Sequence, residues 1–91
     1  GPRRVLAYTL TSSAQAGADP SDWTLQGSDD GRRWTELDAR HGERFDWRRQ
    51  TRAFVVKHPG TYRYYRWTPA GNGPVTVAEI EWLGPPDNGR L

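Results

Sequence analysis

The chain has 91 residues, a formal net charge of +2 and no cysteine, which bounds it to one domain held by burial and hydrogen bonding, with neither disulfides nor thiolate metal sites. Eleven aromatics (five Trp, four Tyr, two Phe) supply a small core despite a mean hydropathy of −0.94. The charge surplus forms no basic stripe and no apolar run approaches the roughly 18 to 20 residues of a membrane span, so neither a nucleic-acid nor a membrane partner is indicated.

Apolar residues recur with a period near two and nowhere with a sustained helical period, so the chain reads all-β. Arg4 to Thr11 predicts a strand and Ser12 to Pro20, small and polar, a long loop. Asp22 to Gln26 predicts a second strand with Trp23 and Leu25 on one face. Gly27-Ser28-Asp29-Asp30-Gly31 supplies the positive-φ residues of a tight connection, and Arg33 to Leu37 returns as the hairpin partner. From Asp38 to Gln50 charge is dense and periodicity is lost except at Phe45 and Trp47, which predicts the longest loop. Arg52 to Lys57 is a strand and His58-Pro59-Gly60 a turn. Tyr62 to Thr68 is aromatic on both faces, which predicts a central strand. Ala70 to Pro74 is a turn, and Val75 to Leu83 closes the sheet with Ala78, Ile80 and Trp82 on one side. Six short strands with turns between them predict an antiparallel β-sandwich over residues 1–84, followed by a flexible tail at 85–91.

Several side chains are candidates for structural or functional roles. Trp23, Trp34 and Trp82 lie in strand patterns and read as core. Arg66 is expected to pair with Glu79 on the next strand, and Arg48 with an acid or with loop carbonyls. Trp47 stands in the charged loop and has two readings: a lid folded over one end of the sandwich, or an exposed platform for a sugar ring. Sugar binding needs a flat apolar face flanked by planar polar groups that bond vicinal hydroxyls, and Arg40, His41, Glu43, Asp46 and Arg49 surround Trp47 with that mixture. Trp67 and Asn72 are weaker candidates.

Catalysis finds little support. Asp29 and Asp30 sit on a turn, where Asp serves the backbone, and Glu79 and Glu81 share a strand face about 7 Å apart with no cleft signalled. His41 and His58 stand far apart without a metal-ligand pattern, so no transition-metal site is expected; calcium held by loop carbonyls with Asp19 or Asp22 stays open.

The ordered set Tyr8-Thr-Leu-Thr-Ser12, Asp19-Pro20, Trp23-Thr-Leu-Gln-Gly-Ser28, Asp30-Gly31, Trp34 and Leu37-Asp38, continued by Phe45, Arg48, Gln50, Phe54, Tyr62 to Arg66 and Ala78-Glu79-Ile80, resembles the second half of discoidin or F5/8 type C domains. The resemblance runs from about Val5 to Gly84. It is closest to modules appended to bacterial glycoside hydrolases, such as family 92 α-mannosidase-like enzymes, and to family 32 carbohydrate-binding modules. It implies a jelly-roll sandwich that binds glycans, lipid head groups or proteins through loops at one end, with no catalysis of its own. The expected function is therefore a carbohydrate-binding accessory module of a secreted enzyme; the alternative is a structural module packed on the catalytic domain of its parent. Complete domains of this kind carry an earlier segment whose loops contribute ligand contacts and calcium in many relatives. Without strands from such a segment, open sheet edges are expected to favour a homodimer.

Overall fold

The computed structural model describes residues 1–71 and 73–85. It is an all-β antiparallel sandwich. The strands are β1 (Arg3–Arg4), β2 (Ala7–Ser12), β3 (Trp23–Ser28), β4 (Thr35–Arg40), β5 (Thr51–Val55), β6 (Thr61–Tyr62), β7 (Tyr64–Pro69) and β8 (Val77–Leu83). One sheet has the order β5-β2-β8 and the other β4-β3-β7, while β1 and β6 form a short ladder of their own. Among the described residues no helix is long and apolar enough to cross a membrane.

Two strands more than the sequence predicts arise because β1 and β6 are split from longer runs. Val5 turns into the core between β1 and β2, and Arg63 separates β6 from β7. Hydrogen bonding continues across the first break, since the Leu6 N–H donates to the Leu83 carbonyl and the Leu6 carbonyl accepts from Val56, at 2.8 and 2.9 Å. The expected hairpin of β3 and β4 is present, with a register shift between Leu25 and Gln26. Its connection divides the work between two glycines. Gly31 takes a positive φ of 74°, while Gly27 lies in β3, where a Cβ would come within 2.5 Å of the Tyr62 ring. The Asp30 carboxylate accepts the Arg32 and Arg33 N–H groups at 2.8 and 2.9 Å and fixes the turn.

The central strands are β2 and β3, whose alternation puts Tyr8, Leu10 and Ser12, and Trp23 and Leu25, fully inside. Phe54 of β5 stacks on Tyr8 at 5.5 Å and takes the edge of Trp23 at 5.1 Å. The Tyr8 hydroxyl accepts from Trp23 Nε1 at 2.8 Å and donates to Asp38 Oδ2 at 2.6 Å; Arg40 Nε donates to the same oxygen at 3.0 Å. A carboxylate only 1% exposed is thereby supplied with a phenol and a guanidinium. That satisfaction makes the buried charge tolerable.

Three expectations are corrected. β7 is an edge strand, hydrogen-bonded to β3 alone; aromatics on both of its faces imitate two-sided burial, but Tyr64 is 50% exposed. Arg66 does not pair with Glu79, because β7 and β8 lie in different sheets. It donates to Gln26 Oε1 at 3.3 Å and lies 4.0 Å over the Trp34 ring. Trp34 is consequently a half-buried surface partner and not a core residue, whereas Trp23 is in the core and Trp82 packs against it.

Candidate functional site

The Trp47 loop is shorter than the sequence predicts, since β4 runs on to Arg40 and the loop proper spans 41–50. Its middle is tied down by Phe45, which is 8% exposed and joins the core. Arg52 of β5 lies over both Phe45 and Phe54, at 5.8 and 4.9 Å, donates to the Arg44 carbonyl at 2.9 Å and pairs with Glu43 at 2.8 Å. One guanidinium therefore holds the first half of the loop against the sheet.

The second half is held by Ser12, the last inward residue of β2 and fully buried. Its hydroxyl donates to the Trp47 carbonyl at 3.0 Å and accepts the Gln50 N–H at 2.9 Å, while the Ser12 N–H donates to the Gln50 carbonyl at 2.9 Å. The Gln50 side chain accepts the Asp46 N–H at 2.6 Å, closing the turn from the other side. Arg48 reaches across to Asp19 with both terminal nitrogens and donates to the carbonyls of Ser13 and Gln15 at 3.1 and 2.8 Å. Both partners foreseen for Arg48, an acid and loop carbonyls, are realised.

On this pinned backbone the Trp47 side chain is 61% exposed. The lid reading is thereby excluded. Arg49, next but one, has a left-handed φ of 58°, a conformation an L side chain adopts only when its surroundings impose it. Gly42, Glu43, Arg44 and Asp46 of the loop, with Arg52 of β5, line a shallow groove of about 430 Å³.

Of the residues expected to bind a ligand, Asp46, Trp47 and Arg49 share this loop surface, and Asp46 lines the groove. His41 stands exposed at the loop's start, 3.6 Å from Asp22. Arg40 is placed differently: its guanidinium serves Asp38, donates to the Val55 carbonyl at 2.6 Å and covers Phe54 at 5.2 Å. Asn72 lies outside the described residues. Trp67 points to the interior beside Trp23, with ring centroids 6.0 Å apart. The carboxylates considered for calcium are both engaged by protein donors. Asp19 takes Arg48, and Asp22 accepts the Gly42 N–H at 2.9 Å, the main reason its carboxyl is held below the ordinary range, with His41 adding to it. No group of three potential ligands gathers among the described residues.

No family model matches the chain. Over 59 residues, 63% of the chain, it is 37% identical to the peptide-N(4)-(N-acetyl-beta-glucosaminyl)asparagine amidase of Arabidopsis thaliana. The match spans 8% of that protein's length. The likeness is to a short segment of a much larger enzyme.

Sequence reasoning missed Ser12 and Arg52, two of the residues that hold the loop. Both carried a signal. Ser12 shares the parity of buried Tyr8 and Leu10, and Arg52 that of buried Phe54 and Val56. A polar residue on a core-facing position has to be satisfied there, and in both cases the loop satisfies it.

Proposed function

We propose that the chain is a non-catalytic carbohydrate-binding module of a secreted, glycan-active protein, with the Trp47 loop as its sugar face. The observation that carries this reading is an indole 61% exposed on a backbone clamped by a fully buried serine. Exposing a large apolar ring has a solvation cost, and a loop fixed in place presents that ring without an ordering penalty on binding. A pyranose offers a flat C–H face to such an indole, while the neighbouring Asp46 and Arg49 supply an acceptor and donors for its hydroxyls.

Two further points support a glycan ligand. The ordered residues from Tyr8 to Ile80 resemble discoidin-type modules of glycoside hydrolases. The amidase sharing 37% identity over 59 residues is named for an N-acetylglucosaminyl-asparagine linkage. Within a larger protein, monovalent affinity in the millimolar range suffices, because tethering raises the effective concentration of the second contact.

Replacing Trp47 by Ala tests the assignment. Retention on immobilised glycan is expected to disappear while the melting temperature stays within about 2 °C, since the side chain packs little. Undiminished retention moves the site elsewhere, and absence of retention by the unaltered module favours a purely structural role.

A further inference from the structure

The two flanks of the sandwich differ. On one side β4 and β5 are drawn together, with the His58 N–H donating to the Leu37 carbonyl at 2.9 Å, Arg40 donating to the Val55 carbonyl at 2.6 Å, and Leu37, Phe54 and Val56 at 2 to 3% exposure beneath them. On the other side β8 ends one sheet and β7 the other, and Tyr65, Trp67, Ile80 and Trp82, which face inward there, are only partly buried. A single aromatic contact, Tyr65 with Trp82 at 6.1 Å, bridges this flank. Trp67 Nε1 is buried behind it with no hydrogen-bond partner among the described residues. Both edges leave a row of backbone groups unpaired by the sheets.

We propose that this flank is an interface for a second copy of the chain, in which β7 of each copy pairs antiparallel with β8 of the other. Its independent basis is the match between the two edges. In one copy the start of β7 lies beside the end of β8, through Tyr65 and Trp82, while Ala70 just after β7 and Thr76 just before β8 donate to the carbonyls of Asp22 and Ala18 in one short segment, so the two strands run in opposite directions. A two-fold axis along the strands, midway between the sheets, preserves each strand's direction and carries one sheet into the layer of the other. β8 of the second copy then arrives antiparallel to β7, and both sheets continue across the axis.

One register satisfies every position. Setting Arg66 opposite Glu81 places Tyr65 opposite Trp82, Trp67 opposite Ile80, Tyr64 opposite Leu83 and Thr68 opposite Glu79. Inward residues meet inward ones and outward meet outward. The charged pair is of opposite sign, and Tyr64 and Leu83, 50% and 38% exposed in one copy, cover each other. Pairing β8 with β8 would instead stack Glu79 and Glu81 against the same acids, and pairing β7 with β7 would bring Arg66 towards itself. The crossed pairing is therefore the self-complementary one, closed at two strands per side.

Sedimentation equilibrium of the whole chain from about 1 to 500 μM tests this. The expected result is a reversible rise from the 10.4 kDa monomer to twice that mass, with a blue shift of tryptophan emission as Trp67 and Trp82 become covered. Glu81→Arg is expected to weaken association roughly tenfold, since the contact occurs twice, and Arg66→Glu combined with Glu81→Arg to restore it. Both substitutions lie on the exposed face; Arg66→Glu also gives up the contacts with Trp34 and Gln26, so far-UV circular dichroism of each variant verifies that the fold is kept. A monomer throughout, or a dimer indifferent to Glu81→Arg, overturns the proposal. Glycan retention by a strict monomer leaves the reading of the Trp47 loop intact and rejects this one alone.

Discussion

The Ser12 hydroxyl stands 3.0 Å from the Trp47 carbonyl oxygen and 2.9 Å from the Gln50 nitrogen, so one buried side chain at the end of β2 fixes both ends of the turn that carries the exposed indole. Ser12→Ala removes the donor and the acceptor together and leaves a peptide carbonyl and N–H without partners. The expected cost is about 1 to 3 kcal/mol. Denaturant unfolding should show that loss with an unchanged m-value. Glycan retention should also fall, although Ser12 lies beneath the loop; retention at the original level would mean that the clamp does not position Trp47.

The Tyr8–Asp38 contact makes a second, pH-dependent prediction. Burial pushes the Tyr8 hydroxyl well above its ordinary range, and the hydrogen bond it gives to Asp38 raises it further. A group whose folded value is raised contributes stability that is complete below its unfolded value and declines as pH rises beyond it. The stability curve should accordingly bend downwards above about pH 10, where the unfolded tyrosine begins to ionise. Tyr8→Phe removes this group's share of the alkaline decline. It should also cost about 1.5 to 3 kcal/mol at pH 7, because Asp38 loses a donor to a charged oxygen. Asp38→Ala is expected to cost roughly 3 kcal/mol by stranding Arg40 and Tyr8.

Acid acts on the turn between β3 and β4. The Arg33 N–H, then the Arg32 N–H, hold the Asp30 carboxyl below the ordinary range. Stability from a depressed carboxylate is present above its unfolded value of about 3.9 and is lost as pH falls through the lower folded value. Carbon-detected NMR should find Asp30 titrating below the ordinary carboxylate range, with Arg32 and Arg33 amide shifts following the same curve. Asp30→Asn should remove that inflection while preserving the hairpin, since the amide oxygen still accepts.

The fold was legible where alternation is one-sided. Tyr8 and Leu10, Trp23 and Leu25, and Gly31 in its turn declared β2, β3 and their connection, because period two and positive φ are local properties. The place of β7 was not legible. Its aromatics satisfy the pattern of a strand covered on both faces, and only the sheet order shows that Tyr64 faces outward at an edge. Arg66 and Glu79 illustrate the same limit: strands adjacent in sequence lie in different sheets, so a pairing inferred from adjacency fails. At the candidate site Trp47 stood out by its surroundings, and Arg48 by its need for a partner. The roles of Ser12 and Arg52 depend on contacts with residues 35 and eight to nine positions away, which no local pattern encodes. Arg40 was read as a loop residue because charge density hides the end of β4.

Whether Trp47 is a sugar-binding face is decided by a ¹⁵N–¹H NMR titration of the module with N-acetylglucosamine, mannose and galactose at millimolar concentration. The expected shifts cluster on 41–50, with the Trp47 indole N–H moving most and the Trp23 indole, held by Tyr8, unmoved. A well-folded spectrum in which no sugar moves the Trp47 indole would contradict that role.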